Sequence, residues 1–169
     1  GINYLSLLII FFVSASIITK IQNRINKSSK KHSSPRSYLN ILSNGAIPTF
    51  LIILTIFLYD NSSWNSKILL NGDINIIGLC FIGSIVVTTA DTFSTEIGLI
   101  NKSKPRLITN LNRYVSKGDS GGITLAGLFA SVFAGIIISL TIFFIFNIFN
   151  FLFFLIIILV GILGSIFDS

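Results

Sequence analysis

Apolar residues gather in five long blocks along this chain, and polar positions are concentrated in the segments between them. The blocks run roughly Ile2–Thr19, Ile41–Tyr59, Ile74–Ala90, Gly122–Phe146 and Phe151–Phe167. Each approaches the ~20 residues that a helix needs to cross a bilayer. The third is the shortest and ends at Asp91, and only Asn147–Asn150 separates the last two, which predicts a helical hairpin. The expected architecture is all-α: a polytopic transmembrane helical bundle forming a single membrane domain over residues 1–169. The opening block has no basic segment before it and no cleavage site, so it reads as a span and not a signal peptide. The chain opens at Gly1 inside an apolar run and closes at Ser169 just after another. The expectation is therefore a piece of a longer protein, cut at both ends.

Composition strengthens this reading. Hydrophobic residues make up 52% and charged residues 11%, with a mean hydropathy of +0.86. Soluble domains carry about a quarter charged residues, so the bilayer is the expected partner of this surface. The net charge of +6 would suit a nucleic-acid partner if it covered a globular surface. It is instead concentrated in two connecting segments, so no nucleic-acid partner is expected. Segment 20–40 holds Lys20, Arg24, Lys27, Lys30, Lys31, His32 and Arg36 without an acid. Segment 99–121 holds Lys102, Lys104, Arg106, Arg113 and Lys117 with Asp119, whereas the intervening one holds only Asp60, Lys67 and Asp73. The excess of Lys and Arg predicts that 20–40 and 99–121 are cytoplasmic. Cys80 is the only cysteine, which excludes a disulfide framework or a cysteine metal cluster within this chain.

The acids are harder to explain, because Asp and Glu contribute little to topology and are costly near a membrane interior. Asp91 and Glu96 stand at the end of the third block, and Asp168 at the end of the fifth. Five residues turn a helix by about 140°, so Asp91 and Glu96 share a face only if the helix breaks nearby. Asp91 shares its face with Ser94 or Thr95, and Glu96 with Thr92. Negative charge is disfavoured at a helix C-terminus, and a bound cation would relieve that conflict. Hard oxygen ligands of this kind suit Mg²⁺, although ion pairs with Arg106 or Arg36 are an alternative.

A second cluster, Lys117, Gly118, Asp119, Ser120, Gly121 and Gly122, opens the fourth block. Glycines before a helix let backbone N–H groups converge on an anion, with Lys117 adding charge and Asp119 or Ser120 serving as N-cap. An ordinary capped helix start is the plainer alternative. Arg106 after Pro105, and Arg36 with Asn44 and Gly45, add candidate phosphate ligands at the same face. Gly122, Ala126, Ala130 and Ala134 recur every four residues and read as helix packing, a surface that also allows a homo-oligomer. One interface thus combines acids for a metal, bases for phosphates and adjacent lipid.

At these motifs the chain resembles an integral membrane family that includes plant phytyl-phosphate kinase and animal transmembrane protein nineteen. This family was long catalogued as a domain of unknown function. The resemblance lies in Arg36 through Gly45, Ala90 through Gly98, Pro105 through Thr109, Gly118 through Thr124 and Gly161 through Ser169. It implies transfer of a phosphoryl group from a nucleoside triphosphate, CTP being one candidate, to an isoprenoid (phytyl or prenyl) monophosphate. Asp91, Glu96 and Asp168 would hold Mg²⁺ and carry catalysis. Arg36, Asn44, Arg106, Lys117 and the Gly118–Gly122 turn would hold phosphates. The family's last motif continues past its Asp-Ser, so part of the site and a further span are expected beyond Ser169. The resemblance also implies a prokaryotic plasma membrane, an internal photosynthetic membrane or a plastid envelope. A transporter of an anionic or lipid solute, using the acids as a coupling-ion site, is the alternative, and a non-catalytic assembly subunit a third.

Overall fold

The structure, a computed structural model, describes residues 2–27, 38–58 and 76–169. Arg36, the Lys30–His32 run, Asp60, Lys67 and Asp73 lie outside the described residues. Among the described residues five helices carry the fold: α1 (Ile2–Lys27), α2 (Tyr38–Leu58), α3 (Ile76–Ile100), α4 (Leu125–Phe146) and α5 (Phe151–Asp168). Four of them, α1, α3, α4 and α5, are long and apolar enough to cross a membrane, and α2 has a described apolar stretch over Asn44–Leu54. A helical membrane bundle is thus observed as expected.

Helix α3 is the hub and touches the other four helices. More than half of its apolar span is buried inside the bundle. Thr89 is fully buried and its hydroxyl donates to the Ile85 carbonyl at 2.6 Å, which satisfies the polar group without a partner helix. Leu7 and Phe11 of α1 are buried in one core with Phe81, Ile82, Ile85 and Val86 of α3 and Ile138 and Ile142 of α4. The opposite positions of α1, such as Leu5, Ile9 and Val13, are exposed for lipid. Tyr4 meets the edge of Phe81 at 5.4 Å, and Thr19 bonds Glu96 further along, so α1 and α3 run parallel.

Small residues set the remaining crossings. A Cβ on Gly127 of α4 would lie 2.9 Å from the Ser94 carbonyl oxygen of α3, a clash that only glycine avoids. Gly161 and Gly164 of α5 face Val86, Ala90 and Val87 of α3. Ile157 packs in one core with Phe81 and Ile82 while Asp168 lies near Gly98, so α5 runs parallel to α3. The predicted hairpin is present. Asn147 ends α4 in the left-handed conformation (φ 53°), and the Asn150 side chain accepts the Phe153 N–H to start α5.

Three expectations need correction. Helix α3 continues past Asp91 to Ile100, so Asp91 lies more than two turns inside it. The terminal dipole acts within the last turn and does not reach Asp91. Helix α4 begins at Leu125 with Thr124 as N-cap, its hydroxyl accepting from the Gly127 N–H, so neither Asp119 nor Ser120 caps it. Finally, the α3–α4 connection contains a small antiparallel sheet that helical periodicity did not predict. Its strands are β1 (Arg106–Leu107), β2 (Asn110–Tyr114) and β3 (Gly122–Ile123), in the order β2-β1-β3.

Candidate functional site

A cleft of about 240 Å³ opens where the C-terminal part of α3, the α3–α4 connection and the end of α5 meet. Helix α3 contributes Asp91, Ser94, Thr95 and Gly98, spaced at i, i+3, i+4 and i+7 and therefore on one face. Thr95 leans back toward the Asp91 carboxylate, with Oγ1 at 3.5 Å from Oδ1. The connection contributes Pro105 and Lys117 through Ser120, together with Gly122, Ile123 and Thr124; α5 contributes Asp168 and Ser169.

The glycine turn is shaped by local bonds. Gly118 and Gly121 have φ of 91° and 78°, conformations that L side chains rarely adopt. The Asp119 carboxylate accepts the Ser116 N–H at 2.8 Å and so closes the turn on itself. The Gly121 N–H donates to the Ser169 carbonyl at 2.5 Å, and its own carbonyl accepts from the Ile108 N–H at 2.8 Å. The turn is thereby tied both to the end of α5 and to the sheet. Lys117 bridges in the other direction. Its Nζ donates to the Leu99 carbonyl at 3.0 Å and to the Asn101 carbonyl. Helix C-termini leave such carbonyls unpartnered and favour a cation beside them.

Sequence-predicted residues divide accordingly. Asp91, Asp168, Lys117, Gly118, Asp119, Ser120 and Gly122 line the cleft, and Gly121 supports it from behind. Glu96 does not line it. It is buried, 4% exposed, on the α1 side of α3, where its carboxylate accepts from the Thr19 hydroxyl at 2.7 Å. The 140° rotation between Asp91 and Glu96 persists because the helix does not break. Among the described residues no three Asp, Glu, His or Cys side chains group as a metal cluster, so Asp91, Glu96 and Asp168 do not form one.

Arg106 also points elsewhere. Arg106 is exposed outside the cleft lining, whereas Leu107 packs against Gly121. There its guanidinium bonds the Leu111 carbonyl and the Tyr114 hydroxyl, each at 3.3 Å. Asn44 is half-buried in α2 and is not among the cleft residues. Ser94, Thr95 and Thr124 were not singled out as ligands by sequence, although stepping by three and four from Asp91 finds the first two.

A polytopic helical membrane protein with a polar cleft at one end of its bundle is the class that this fold and site define. The model of the integral membrane protein family DUF92 matches residues 1–169, and the chain belongs to that family. An uncharacterized membrane protein of Methanocaldococcus jannaschii is 36% identical, over 83% of this chain and 52% of its own length. The protein PGR of Arabidopsis thaliana is 32% identical, over 83% of this chain and 50% of its own length. The chain thus spans about half the length of these curated relatives. No solved structure matches it.

Proposed function

We propose that the cleft is a phosphoryl-transfer site, in which a nucleoside triphosphate phosphorylates an isoprenoid monophosphate at the membrane surface. The observation that carries this reading is the cleft's lining: Asp91 and Asp168 from two helices, the Lys117 ammonium, and a glycine turn, all beside the ends of apolar helices. In such a transfer the acceptor phosphate oxygen forms a bond to the terminal phosphorus of the donor. The bond to the bridging oxygen breaks, leaving a nucleoside diphosphate and an isoprenoid diphosphate. The protein's task is to position these groups and balance their charge, so no histidine or cysteine nucleophile is required.

Mg²⁺ fits the donor set. It prefers oxygen ligands and is commonly held by one or two carboxylates together with substrate phosphates. Asp91 and Asp168 would supply those carboxylates, with the Ser94 and Thr95 hydroxyls beside them; Mg²⁺ would supply neutralisation of phosphate charge. A third carboxylate, Asp119, also faces the cleft, so a free phosphate meets more negative than positive side chains. The reading therefore requires the phosphate to arrive with its cation. A cleft of this size is below the ~300–1,000 Å³ that drug-sized ligands occupy, which suits phosphate groups and leaves the apolar tail in the bilayer. Position at the start of α4 and the end of α5, not the midplane, favours this over the transporter reading.

Nucleotide labelled at the terminal phosphate tests it, using the purified full chain in lipid with and without phytyl monophosphate. Label should move to the lipid only when acceptor and Mg²⁺ are both present. Absence of lipid label with each of CTP, ATP, GTP and UTP, for both phytyl and shorter prenyl acceptors, would refute the proposal.

A further inference from the structure

The small sheet and the residues that lead into it carry charge outside the cleft lining. Residues 101–118 contain Lys102, Lys104, Arg106, Arg113 and Lys117 and no acid. Lys117 is engaged with the end of α3, but the other four are exposed away from the cleft lining. Strand β2 is exposed at every position, and it carries two large apolar or amphipathic groups, Leu111 at 54% and Tyr114 at 56% exposure. Arg106 sits over the Tyr114 ring, 5.2 Å from its centroid, so guanidinium and aromatic present one composite surface.

We infer that this basic connection docks on anionic phospholipid headgroups of the leaflet from which α3 and α4 emerge. Charge complementarity identifies the partner: four cations without an acid, beside Tyr and Leu, match a phosphate layer over an apolar one. Reach is consistent. Strand β3 runs almost directly into α4, and two strand spacings put β2 only about 10 Å from it. That is comparable to the ~8–10 Å Debye length, within which headgroup charge is felt. Topology selection explains why Lys and Arg are in this connection. It does not explain an ordered strand that exposes both faces with a cation–aromatic pair on one. The inference does not rest on the proposed activity, because none of Lys102, Lys104, Arg106 and Arg113 lines the cleft.

The test uses the full chain, one copy per lipid nanodisc, with Asn112→Cys in a Cys80→Ser background carrying an environment-sensitive fluorophore. Bromine-labelled phosphatidylglycerol and bromine-labelled phosphatidylcholine are compared as quenchers at equal fractions. Phosphatidylglycerol should quench several-fold more strongly, and ~1 M salt, which shortens the Debye length to about 3 Å, should remove the preference. Lys104→Gln with Arg113→Gln should remove most of that preference, while the Arg106 bonds that shape the loop stay in place. Retained Mg²⁺-pyrophosphate binding by this variant would show the cleft intact; if the wild type binds none, the activity proposal suffers and the docking result still stands. Equal quenching by both lipids, or a preference that survives the double substitution, would overturn the inference.

Discussion

Asp91 and Glu96 are close in sequence but face different neighbours. Asp91 looks into the cleft with Ser94 and Thr95, whereas Glu96 is held against α1 by Thr19. Their substitutions should therefore separate. Asp91→Asn should lower phosphoryl transfer by about a hundredfold or more, the scale of losing a main electrostatic group, with helicity by circular dichroism unchanged. Thr19→Val should leave the Mg²⁺ dependence of transfer as it is and lower stability in detergent by roughly 0.5–2 kcal/mol, the range of interhelical hydrogen bonds in membranes. A shifted Mg²⁺ dependence in Thr19→Val would return Glu96 to the metal. The opposed directions of these two acids were legible from a five-residue spacing. What spacing does not reveal is that α3 runs on unbroken to Ile100, with Thr19 and Gly127 packed against its last turns. The direction of Arg106 was hidden for a related reason: a two-residue strand leaves no periodicity to read.

Among the elements, the crossing of α3 and α4 and the glycine turn place the cleft walls by different means. Gly127 is constrained by space, since a side chain there strikes Ser94. Gly118 is constrained by conformation, with φ of 91° and open space around it. Gly127→Leu should push the helices apart at about 1–3 kcal/mol and also reduce transfer, because Ser94 lines the cleft. Gly118→Ala should cost about 1–2 kcal/mol from backbone strain alone. Thermal unfolding in detergent distinguishes them when paired with Leu125→Ile, a substitution at an exposed position that should change little. Hydropathy marked the apolar helices well. It placed the start of α4 three residues early, because Gly122 and Ile123 are apolar enough to extend the block but are used by β3. Thr124 then caps the helix in place of the Asp and Ser upstream.

For the whole molecule, α1, α3 and α5 run one way and α4 runs back between them, so the end of α1, the sheet and the cleft share one end of the bundle. The basic connections predict that this end is cytoplasmic. Ser103→Cys in a Cys80→Ser background should react with a membrane-impermeant maleimide only after permeabilisation, and reaction in intact cells would reverse the orientation. Transfer of labelled phosphate to phytyl monophosphate, measured side by side for wild type, Asp91→Asn, Asp168→Asn and Thr19→Val, tests the central claim most directly. The cleft account predicts product from wild type and Thr19→Val, and almost none from either Asp substitution. Full transfer by Asp91→Asn and Asp168→Asn, in protein that remains folded, would contradict it.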